Sequence, residues 1–377
     1  MIKTKRENIQ FIDLKVQQAR IREQIETRIR KVLDHGQYIM GPEVRELEAQ
    51  LSAYAGVKHC ITCASGTDAL LMPLMAWGIG PGDAVITTPF TFISTAEVLA
   101  LLGATPLFAD IDPLTYNLDP AQLEKVLRSG RVKKNGLKVK GIIPVDLFGQ
   151  PADYEEIERF ARQYGLWVLE DAAQAFGAEY KGRKTCSFGD VAATSFFPAK
   201  PLGCYGDGGA IFTNDDDLAE KLRSIRVHGQ GSDKYDNVRI GINGRFDTMQ
   251  AAVLLAKLEI FDEEIALRNR AAARYSEKLS GKFVIPAVKE DRSSVWAQYS
   301  ILSEDRDAEL ARLKDLGIPT AIYYPKPLHL QEAFRYLGYS AGDFPVTERC
   351  AGRIFSIPMH PYLEEAEQDY IIKGLLG

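Results

Sequence analysis

The 377-residue chain is longer than one hydrophobic core usually supports, so we expect a large domain and a smaller one. Its content of 46% hydrophobic and 26% charged residues is typical of a globular enzyme and excludes a disordered chain. The net charge of −5 argues against a general nucleic-acid binder, because neutralising phosphates requires a basic surface.

The amino terminus, MIKTKRENIQFIDL, is charged where a secretory signal needs an apolar core. No apolar run in the chain reaches the ~18 residues of a membrane span. We therefore expect a cytoplasmic protein with no membrane partner. The first fifty or so residues have helical patterns and are expected to pack on the edge of the domains that follow.

From about residue 57 to 215, short β-rich runs alternate with helical patterns, which predicts an α/β fold with a mostly parallel sheet. The predicted strands are VKHCITCA, DAVITTP, TPLFAD, KGIIPVDLF, LWVLED, VAATSFF and GGAIFT. A long helical pattern follows from about 246 to 279. We expect a large domain over 1–245, a connecting long helix over 246–281, and a small C-terminal α/β domain over 282–377.

Five cysteines do not make a disulfide scaffold in a chain of this length. Cys60 and Cys63 form a C-x-x-C in HCITCAS, but no second pair follows at the spacing of a zinc site, and the segment is predicted to be a strand. Buried thiols are therefore favoured over metal or redox use.

Two of the predicted strands end in groups that suit a flat, phosphorylated ligand. In ITCASGTDALL a strand turns directly into a helix at Ser65, Gly66 and Thr67, where free backbone N–H groups can bind a phosphate. A plain helix N-cap explains the same residues. In TTPFTF, Phe90 and Phe92 can stack on a heteroaromatic ring or belong to the core.

Two further strands end in groups that suit chemistry on such a ligand. In LWVLEDAAQAFG, apolar residues lead into Glu170 and Asp171, and Gln174 follows. A buried acid is costly unless paired, so Asp171 is either a helix N-cap or the partner of a ring nitrogen. In TSFFPAKPLGCYGDGGA, Ser195 and Lys200 follow a strand, and Lys200 lies between two prolines, a setting that suits an amine presented in a confined site.

The four strand ends are more specific together than singly, because parallel strands place their carboxyl ends at one edge of the sheet. An aldehyde can bind Lys200, a phosphate the helix start at Gly66, and a pyridinium nitrogen Asp171. The combination predicts a site for pyridoxal 5′-phosphate (PLP). A nucleotide-binding or regulatory protein without catalysis is the rival, but neither G-x-G-x-x-G after a strand nor G-x-x-x-x-G-K-[ST] is present.

The chain resembles the DegT-type nucleotide-sugar aminotransferases of fold type I. The resemblance rests on GQYIMGPEVRELEAQLSAYAG, CASGTDALL, TTPFTFISTAE, LEDAAQAFGAEYKG, TSFFPAKPLG and GINGRFDTMQAA, in the family's order and spacing. It implies a large PLP-binding domain with helices on both faces of a mostly parallel sheet, and a smaller C-terminal α/β domain.

The resemblance also implies the role of each matching residue. Lys200 would form the Schiff base with PLP and move the proton between cofactor and substrate carbons, which favours transamination over sugar deoxygenation. The other cofactor contacts would come from Asp171 at the ring nitrogen, Gln174 at the ring oxygen, Phe92 at the ring face, and Gly66, Thr67 and Ser195 at the phosphate. Asn243 would complete the phosphate site of a neighbouring subunit, so a homodimer with shared active sites is expected.

The run IRVHGQGSDKYDNVRIGINGRFDTMQ is most similar to the enzymes that aminate UDP-2-acetamido-2-deoxy-3-oxo-glucuronate with L-glutamate for cell-surface polysaccharides such as O-antigen. A 4-keto nucleotide sugar is the alternative substrate. Arg245 is a candidate for binding a carboxylate, because its guanidinium can bind both oxygens. The other substrate-binding candidates are Tyr324 and His329 from the family's substrate loop, and Arg226 and His228, for which a solvated loop is the alternative. Tyr323 stands where these enzymes commonly have histidine, and His360 is expected to be structural.

Overall fold

A seven-stranded sheet forms the centre of the residues that this computed structural model describes, 9–233 and 235–377. Residues 1–8, which belong to the charged amino terminus analysed above, and Lys234 lie outside the described residues. The strands in chain order are β1 (His59–Cys63), β2 (Asp83–Thr87), β3 (Thr105–Phe108), β4 (Lys138–Ile142), β5 (Trp167–Asp171), β6 (Glu179–Tyr180), β7 (Arg183–Lys184), β8 (Val191–Ser195), β9 (Gly209–Thr213), β10 (Tyr299–Leu302) and β11 (Ile354–Ile357).

The strand order of the central sheet is β1-β9-β8-β5-β4-β2-β3. The pairs β2–β3, β2–β4, β4–β5 and β5–β8 are parallel, whereas β9 runs antiparallel to both β8 and β1. The seven strands predicted from the sequence and the mostly parallel sheet are confirmed. Because β9 is antiparallel to both β1 and β8, β1 runs parallel to β8 and therefore also to β2 and β5. These four strands end at the same edge of the sheet.

Helices cover both faces of this sheet. Their bounds are α1 (Leu14–Arg20), α2 (Arg22–His35), α3 (Pro42–Ala55), α4 (Gly66–Ala76), α5 (Ser94–Leu101), α6 (Leu123–Leu127), α7 (Gly130–Lys134), α8 (Tyr154–Tyr164), α9 (Asp216–Ile225), α10 (Thr248–Leu258), α11 (Phe261–Leu279), α12 (Arg306–Asp315), α13 (Pro345–Arg353) and α14 (Glu365–Leu376). Successive strand residues face opposite sides: Ile61 packs in one core with Leu70 of α4, and Cys60 packs in the other with Leu47 of α3.

The prediction of one long connecting helix is wrong, because two helices, α10 and α11, occupy that stretch. The backbone leaves the helical conformation at Ile260, where φ is −112° and ψ is 3°. A new helix is favoured just beyond this point, since Asp262, Glu263 and Glu264 lie in the first turn of α11, where acidic side chains interact well with the helix dipole.

The C-terminal part of the chain has a core of its own. Strands β10 and β11 form an antiparallel pair, and Tyr275 of α11, Ile301, Phe355 and Ile371 of α14 are buried together. The domain boundaries named above stay predictions. Ala321 pairs with Ser356 of β11. The next residues include Tyr323 and Tyr324, which line a cavity at the end of the large sheet.

The cysteines are free, buried thiols, as predicted from the sequence. Burial raises the pKa of both Cys60 and Cys63, which keeps these thiols protonated at neutral pH. His360 is buried, and its pKa is lowered to about 4 by burial and by the nearby Arg268 charge, in agreement with a structural role. Among the described residues, no helix combines the length and the apolar character that crossing a membrane requires.

Candidate active site

A cavity of about 750 Å³ lies at the edge of the sheet where β1, β2, β5 and β8 end. This is the edge at which open α/β sheets bind ligands. Its lining includes most of the residues that the sequence singled out: Gly66, Thr67, Phe92, Asp171, Gln174, Ser195, Lys200 and Tyr324. Residues separated by up to 258 positions, from Gly66 to Tyr324, therefore meet at one site.

The start of α4 forms one end of the cavity. Ser65 caps this helix, and its hydroxyl oxygen accepts a hydrogen bond from the backbone N–H of Asp68 at 3.0 Å. The N–H groups of Gly66 and Thr67, the first two residues of the helix, have no partner within the helix, so they are available to an anion. A Cβ atom at Gly66 would lie 2.6 Å from Cβ of Ser195, so only glycine allows this close approach. The helix N-cap that the sequence left as one alternative is therefore present, and it leaves the Gly66 and Thr67 N–H groups for the predicted phosphate site.

Asp171, at the last position of β5, also lines the cavity. Its side chain is 4% exposed, with Oδ2 accepting a hydrogen bond from Thr95 Oγ1 at 2.8 Å and Oδ1 accepting one from Ala173 N–H at 3.2 Å. Burial raises the pKa of Asp171, while both hydrogen bonds and the charge of Lys200 oppose the increase. The oriented carboxylate can bind a protonated ring nitrogen.

Gln174 and two aromatic side chains complete the walls near Asp171. Gln174 Oε1 accepts a hydrogen bond from Phe148 N–H at 2.8 Å, and its Nε2 donates to the Tyr324 hydroxyl at 3.1 Å. Phe92 is 55% exposed, with its ring centroid 6.4 Å from that of Tyr324. Phe90, by contrast, is fully buried. Of the two phenylalanines, Phe92 is therefore the one that can stack on a ligand.

Lys200 projects from the loop after β8. Burial lowers the pKa of its amine to about 8, although the nearby Asp171 carboxylate works against the decrease. The loop is tightly folded: Lys200 N–H donates to Phe197 O at 2.8 Å, and a Cβ at Gly203 would lie 2.5 Å from Pro198 O. The prolines and glycines around Lys200 thus hold a weakly basic amine at a fixed place, which suits a nucleophile toward carbonyl groups.

These residues fit PLP on three independent points. A phosphate fits the cradle at Gly66, which a Cβ would fill, and a pyridinium fits the buried carboxylate of Asp171. The amine of Lys200 lines the same cavity, within range of the electrostatic attraction of Asp171. Aldehyde, phosphate and ring nitrogen of PLP each have a matching group here.

Two of the predicted substrate-binding residues do not reach the cavity, and we correct those predictions. Arg226 is buried elsewhere: its Nη1 donates to Glu48 Oε1 at 2.6 Å and to Thr62 O at 2.8 Å. His329 is also buried, with Nε2 3.0 Å from Glu348 Oε1. Both side chains are engaged in intramolecular pairs that stabilise the fold, so they are not available to a substrate.

Three more predicted residues lie outside the lining of this chain's own cavity. His228 is exposed in a loop, and its backbone N–H donates to Ile242 O at 3.0 Å. Asn243 is exposed, and its Oδ1 accepts a hydrogen bond from Nε of Arg245 at 2.9 Å. Neither Asn243 nor Arg245 is among the residues that line the cavity, so the predicted role of Asn243 in a neighbouring subunit stays a prediction.

Sequence reasoning missed several residues that line the cavity, namely Ser94, Thr95, Phe197, Asp207, Gln298 and Gln331. Thr95 is the most consequential, because it holds Asp171 from a helix that is 76 residues away in the chain. The quoted TTPFTFISTAE contained Thr95, but no periodicity assigns a hydroxyl in the first turn of α5 to a carboxylate on another strand.

Comparisons with known proteins agree with this geometry. Residues 19–376 match the family model described as the DegT/DnrJ/EryC1/StrS aminotransferase family. A UDP-2-acetamido-2-deoxy-3-oxo-D-glucuronate aminotransferase from Pseudomonas aeruginosa is 52% identical over 368 residues, which cover 97% of this chain and 99% of the relative. Each of these matches extends over almost the whole chain.

The fold is also similar to those of solved aminotransferase structures. A DegT DnrJ EryC1 StrS aminotransferase from Brucella abortus superimposes with a TM-score of 0.96 at 53% identity, covering 98% of this chain and 99% of that one. NtdA from Bacillus subtilis, solved with bound cofactor PMP, gives a TM-score of 0.88 at 29% identity, covering 100% of this chain and 86% of that one.

Proposed function

Because the chain belongs to the DegT/DnrJ/EryC1/StrS aminotransferase family, a family of PLP-dependent enzymes, we propose that it transfers the amino group of L-glutamate to a keto nucleotide sugar. The sugar we propose is UDP-2-acetamido-2-deoxy-3-oxo-glucuronate, whose aminotransferase from P. aeruginosa is the 52% identical relative. The product would serve cell-surface polysaccharide synthesis in the cytoplasm. The observation that carries the proposal is that Lys200, Asp171 and the start of α4 line one cavity.

PLP, when bound, supplies an electron sink that stabilises negative charge at the substrate carbon from which a proton is removed. Lys200 Nζ would hold the aldehyde end until the amino donor arrives, and as a neutral amine it would then accept the proton removed from the donor's α-carbon. Asp171 would accept a hydrogen bond from the protonated ring nitrogen and so keep that nitrogen positively charged. The N–H groups of Gly66 and Thr67, with Ser195, would bind the phosphate and fix the position of the cofactor in the cavity.

Apolar side chains exclude water from the reacting atoms. Leu70, Val145 and Ile322 line the cavity, and Phe92 and Phe197 form part of its exposed border. Desolvation by these apolar walls lowers the proton affinity of the Lys200 amine. The attraction of the Asp171 carboxylate acts in the opposite direction and is the smaller effect. This environment keeps a larger share of Lys200 neutral at physiological pH.

A second copy of the chain is needed to bind the acidic groups of both substrates. Among the described residues that line the cavity, Lys200 is the one cation, whereas glutamate and the sugar each carry a carboxylate. Arg245 lies outside this lining, beside Asn243. Val238 and Ile240, which shortly precede Asn243 in the chain, and Phe197 at the border of the cavity are apolar and exposed, as expected for a surface that a partner covers. We therefore assign Asn243 and Arg245 to the active site of the partner in a homodimer.

Subunit complementation tests the shared site. Lys200→Ala and Arg245→Ala homodimers should each be nearly inactive, the second because a desolvated ion pair typically contributes a factor of ~30 or more. Mixed dimers of the two variants contain one site with both lesions and one intact site. Random pairing should therefore restore about a quarter of the wild-type activity.

The control for this experiment mixes Lys200→Ala chains with the double variant Lys200→Ala/Arg245→Ala. That mixture contains no intact site in either arrangement and should stay inactive. An absence of recovery in the first mixture, with mixed dimers demonstrated by mass, would show that each chain uses its own Arg245.

The substrate is tested by comparing kcat/KM for the 3-keto glucuronate with the values for 4-keto UDP, dTDP and GDP sugars, with L-glutamate as donor. We expect a preference of ~100-fold or more for the 3-keto sugar, because a misplaced carbonyl misses the reacting geometry at Lys200. The decarboxylated 3-keto sugar is the matched control for Arg245, since it lacks the C6 carboxylate. A preference for any 4-keto sugar would replace the proposed substrate and leave the reaction class intact.

A further inference from the structure

Two carboxyl groups are buried directly behind the candidate active site. Asp146 and Glu170 each have 0% exposure. Asp146 follows Val145, which pairs with Asp171, and the Asp146 N–H donates to Asp171 O at 3.0 Å. Glu170 precedes Asp171 on β5, and its side chain points to the opposite face because side chains alternate along a strand. The reaction described above uses neither group.

Glu170 is held as a hydrogen-bond acceptor at both oxygens. Oε1 accepts a hydrogen bond from Cys186 N–H at 2.7 Å, and Oε2 accepts one from Phe188 N–H at 2.9 Å. Backbone N–H groups can only donate, so neither oxygen can carry a proton on the side facing them. Two such donors favour the ionised form of Glu170.

Asp146 has one satisfied oxygen and one unsatisfied oxygen. Oδ1 accepts hydrogen bonds from Ala152 N–H and from the Tyr154 hydroxyl, both at 2.8 Å. Oδ2 is buried and has no partner within the described part of the chain, provided that both acids are ionised. The Asp146 and Glu170 side chains are nevertheless within hydrogen-bonding range of each other. A hydrogen bond between two carboxyl groups requires a proton on one of them.

We propose that Asp146 carries this proton on Oδ2 and donates it to Glu170, so that the pair bears a single negative charge and positions Asp171 from behind. Oδ2 is the position that leaves every other hydrogen bond intact. A proton on Glu170 would have to share an oxygen with a backbone donor. Asp146 is thus a positioning residue that acts through the backbone of Asp171.

The electrostatic surroundings agree with a retained proton. Burial raises the pKa of Asp146 to about 7 and raises that of Glu170 well above its usual value. The charge of Asp171 disfavours ionisation of Asp146, and the charge of Asp146 disfavours ionisation of Glu170. The other titratable groups that face the pair are Tyr154, Asp171 and Cys186. Burial raises the pKa of the Tyr154 phenol and the Cys186 thiol, so both stay neutral, and Asp171 supplies a further negative charge. Losing the proton would put a third negative charge into this cluster.

The proton gives folding stability a pH dependence of defined sign. An aspartate in an unfolded chain loses its proton near pH 4, whereas Asp146 would keep it to about pH 7 in the folded chain. The folded state therefore binds one more proton in this interval, and its stability falls as pH rises from about 4 to about 7. The unfolding equilibrium constant should increase by up to about tenfold per pH unit from this group, and become independent of it above about pH 7.

Asp146→Asn and Asp146→Leu form the matched pair of variants. Asparagine reproduces the protonated acid, since its Oδ1 can accept the same two hydrogen bonds and its Nδ2 can donate to Glu170. Leucine has a similar size but leaves the Ala152 N–H, the Tyr154 hydroxyl and Glu170 without their partner. Both variants are compared with the wild type as full-length, PLP-loaded enzyme in urea unfolding at pH 5, 6, 7 and 8, at one fixed cofactor concentration.

We expect the ratio of the wild-type unfolding constant to that of Asp146→Asn to rise about tenfold per unit between pH 5 and 7. Asp146→Leu should be less stable at every pH and retain less PLP after gel filtration. Infrared spectroscopy at pH 6 should show the carbonyl stretch of a protonated carboxylic acid in the wild type that Asp146→Asn lacks. A ratio independent of pH, or identical carboxylic acid bands in both proteins, would overturn the proposal.

Glu170→Gln tests which acid holds the proton. Its amide would direct Nε2–H at a backbone N–H of Cys186 or Phe188, so we expect this variant to unfold more easily than Asp146→Asn at pH 6 and above. The opposite order, with Glu170→Gln tolerated and Asp146→Asn as damaging as Asp146→Leu, would place the proton on Glu170 and overturn the assignment to Asp146.

Discussion

Replacing Lys200 by alanine is expected to lower kcat by at least about 10⁴-fold, because one side chain supplies both the amine that holds the aldehyde and the base that moves the proton. Cofactor binding should weaken much less, since the start of α4 at Gly66 and the Asp171 carboxylate are unchanged. The measurements are the absorbance change on adding L-glutamate in a single turnover, and the PLP retained after dialysis. A Lys200→Ala enzyme that keeps more than a hundredth of the wild-type rate would contradict the assignment.

The pH dependence of PLP attachment adds a test that loss of folding cannot imitate. With its pKa near 8, about a tenth of Lys200 is neutral at pH 7, against ~1 in 3,000 for an unperturbed lysine. Since the neutral amine is the nucleophile, the rate at which the apoenzyme bonds PLP should rise with pH and level off above about pH 8. A rate still rising steeply above pH 9 would mean that Lys200 is not desolvated.

Lys257 provides the control for chemical specificity, because it is a buried lysine whose pKa, like that of Lys200, is lowered to about 8 by burial. Its amine donates to Gly203 O at 2.6 Å and lies 4.4 Å from the Tyr205 ring centroid, so it holds the loop after Lys200. Borohydride reduction followed by peptide mapping should place the PLP adduct on Lys200. An adduct on Lys257 would reverse the roles of the two lysines.

The grouping at the sheet edge could be predicted from the sequence because it follows from the fold. The strand patterns around Gly66, Phe92, Asp171 and Lys200 place these residues at strand ends, and a parallel sheet brings such ends together. The break between α10 and α11 could not be read in the same way. Both helices keep apolar residues at helical spacing, and the interruption at Ile260 depends on how each helix packs.

Side-chain partners were the least predictable part of the site. Arg226 and His329 have the residue types expected for substrate recognition, yet Glu48 and Glu348 pair with them inside the protein. Sequence spacing carries no information about such pairs, which lie 178 and 19 positions apart. The same limitation applies to Thr95 and its contact with the active-site acid, because direction and reach of a side chain are fixed only by tertiary packing.

The second large effect is expected for Asp171→Asn, which should lower kcat by about 10²- to 10³-fold without releasing PLP. Asparagine has the same size: its Oδ1 can accept from the Ala173 N–H, and its Nδ2, in the place of Oδ2, can donate to the Thr95 hydroxyl. It cannot, however, provide the negative charge that keeps a ring nitrogen protonated. The electron-withdrawing power of PLP then drops, and the step most affected is removal of the α-proton. A deuterium isotope effect on that step should therefore increase in the variant.

Thr95→Val separates the charge of Asp171 from its hydrogen bonds. Valine has nearly the shape of threonine but cannot donate to Asp171 Oδ2, so the pKa of this carboxyl, already raised by burial, should rise further. Since Asp171 must be ionised, activity is lost as pH falls through that pKa, and the acid limb of the kcat profile should move to higher pH in Thr95→Val. Asp171→Asn should have no such limb. An unchanged limb in Thr95→Val, or the wild-type limb in Asp171→Asn, would assign the acid limb to another group and remove the evidence that the charge of Asp171 drives the reaction.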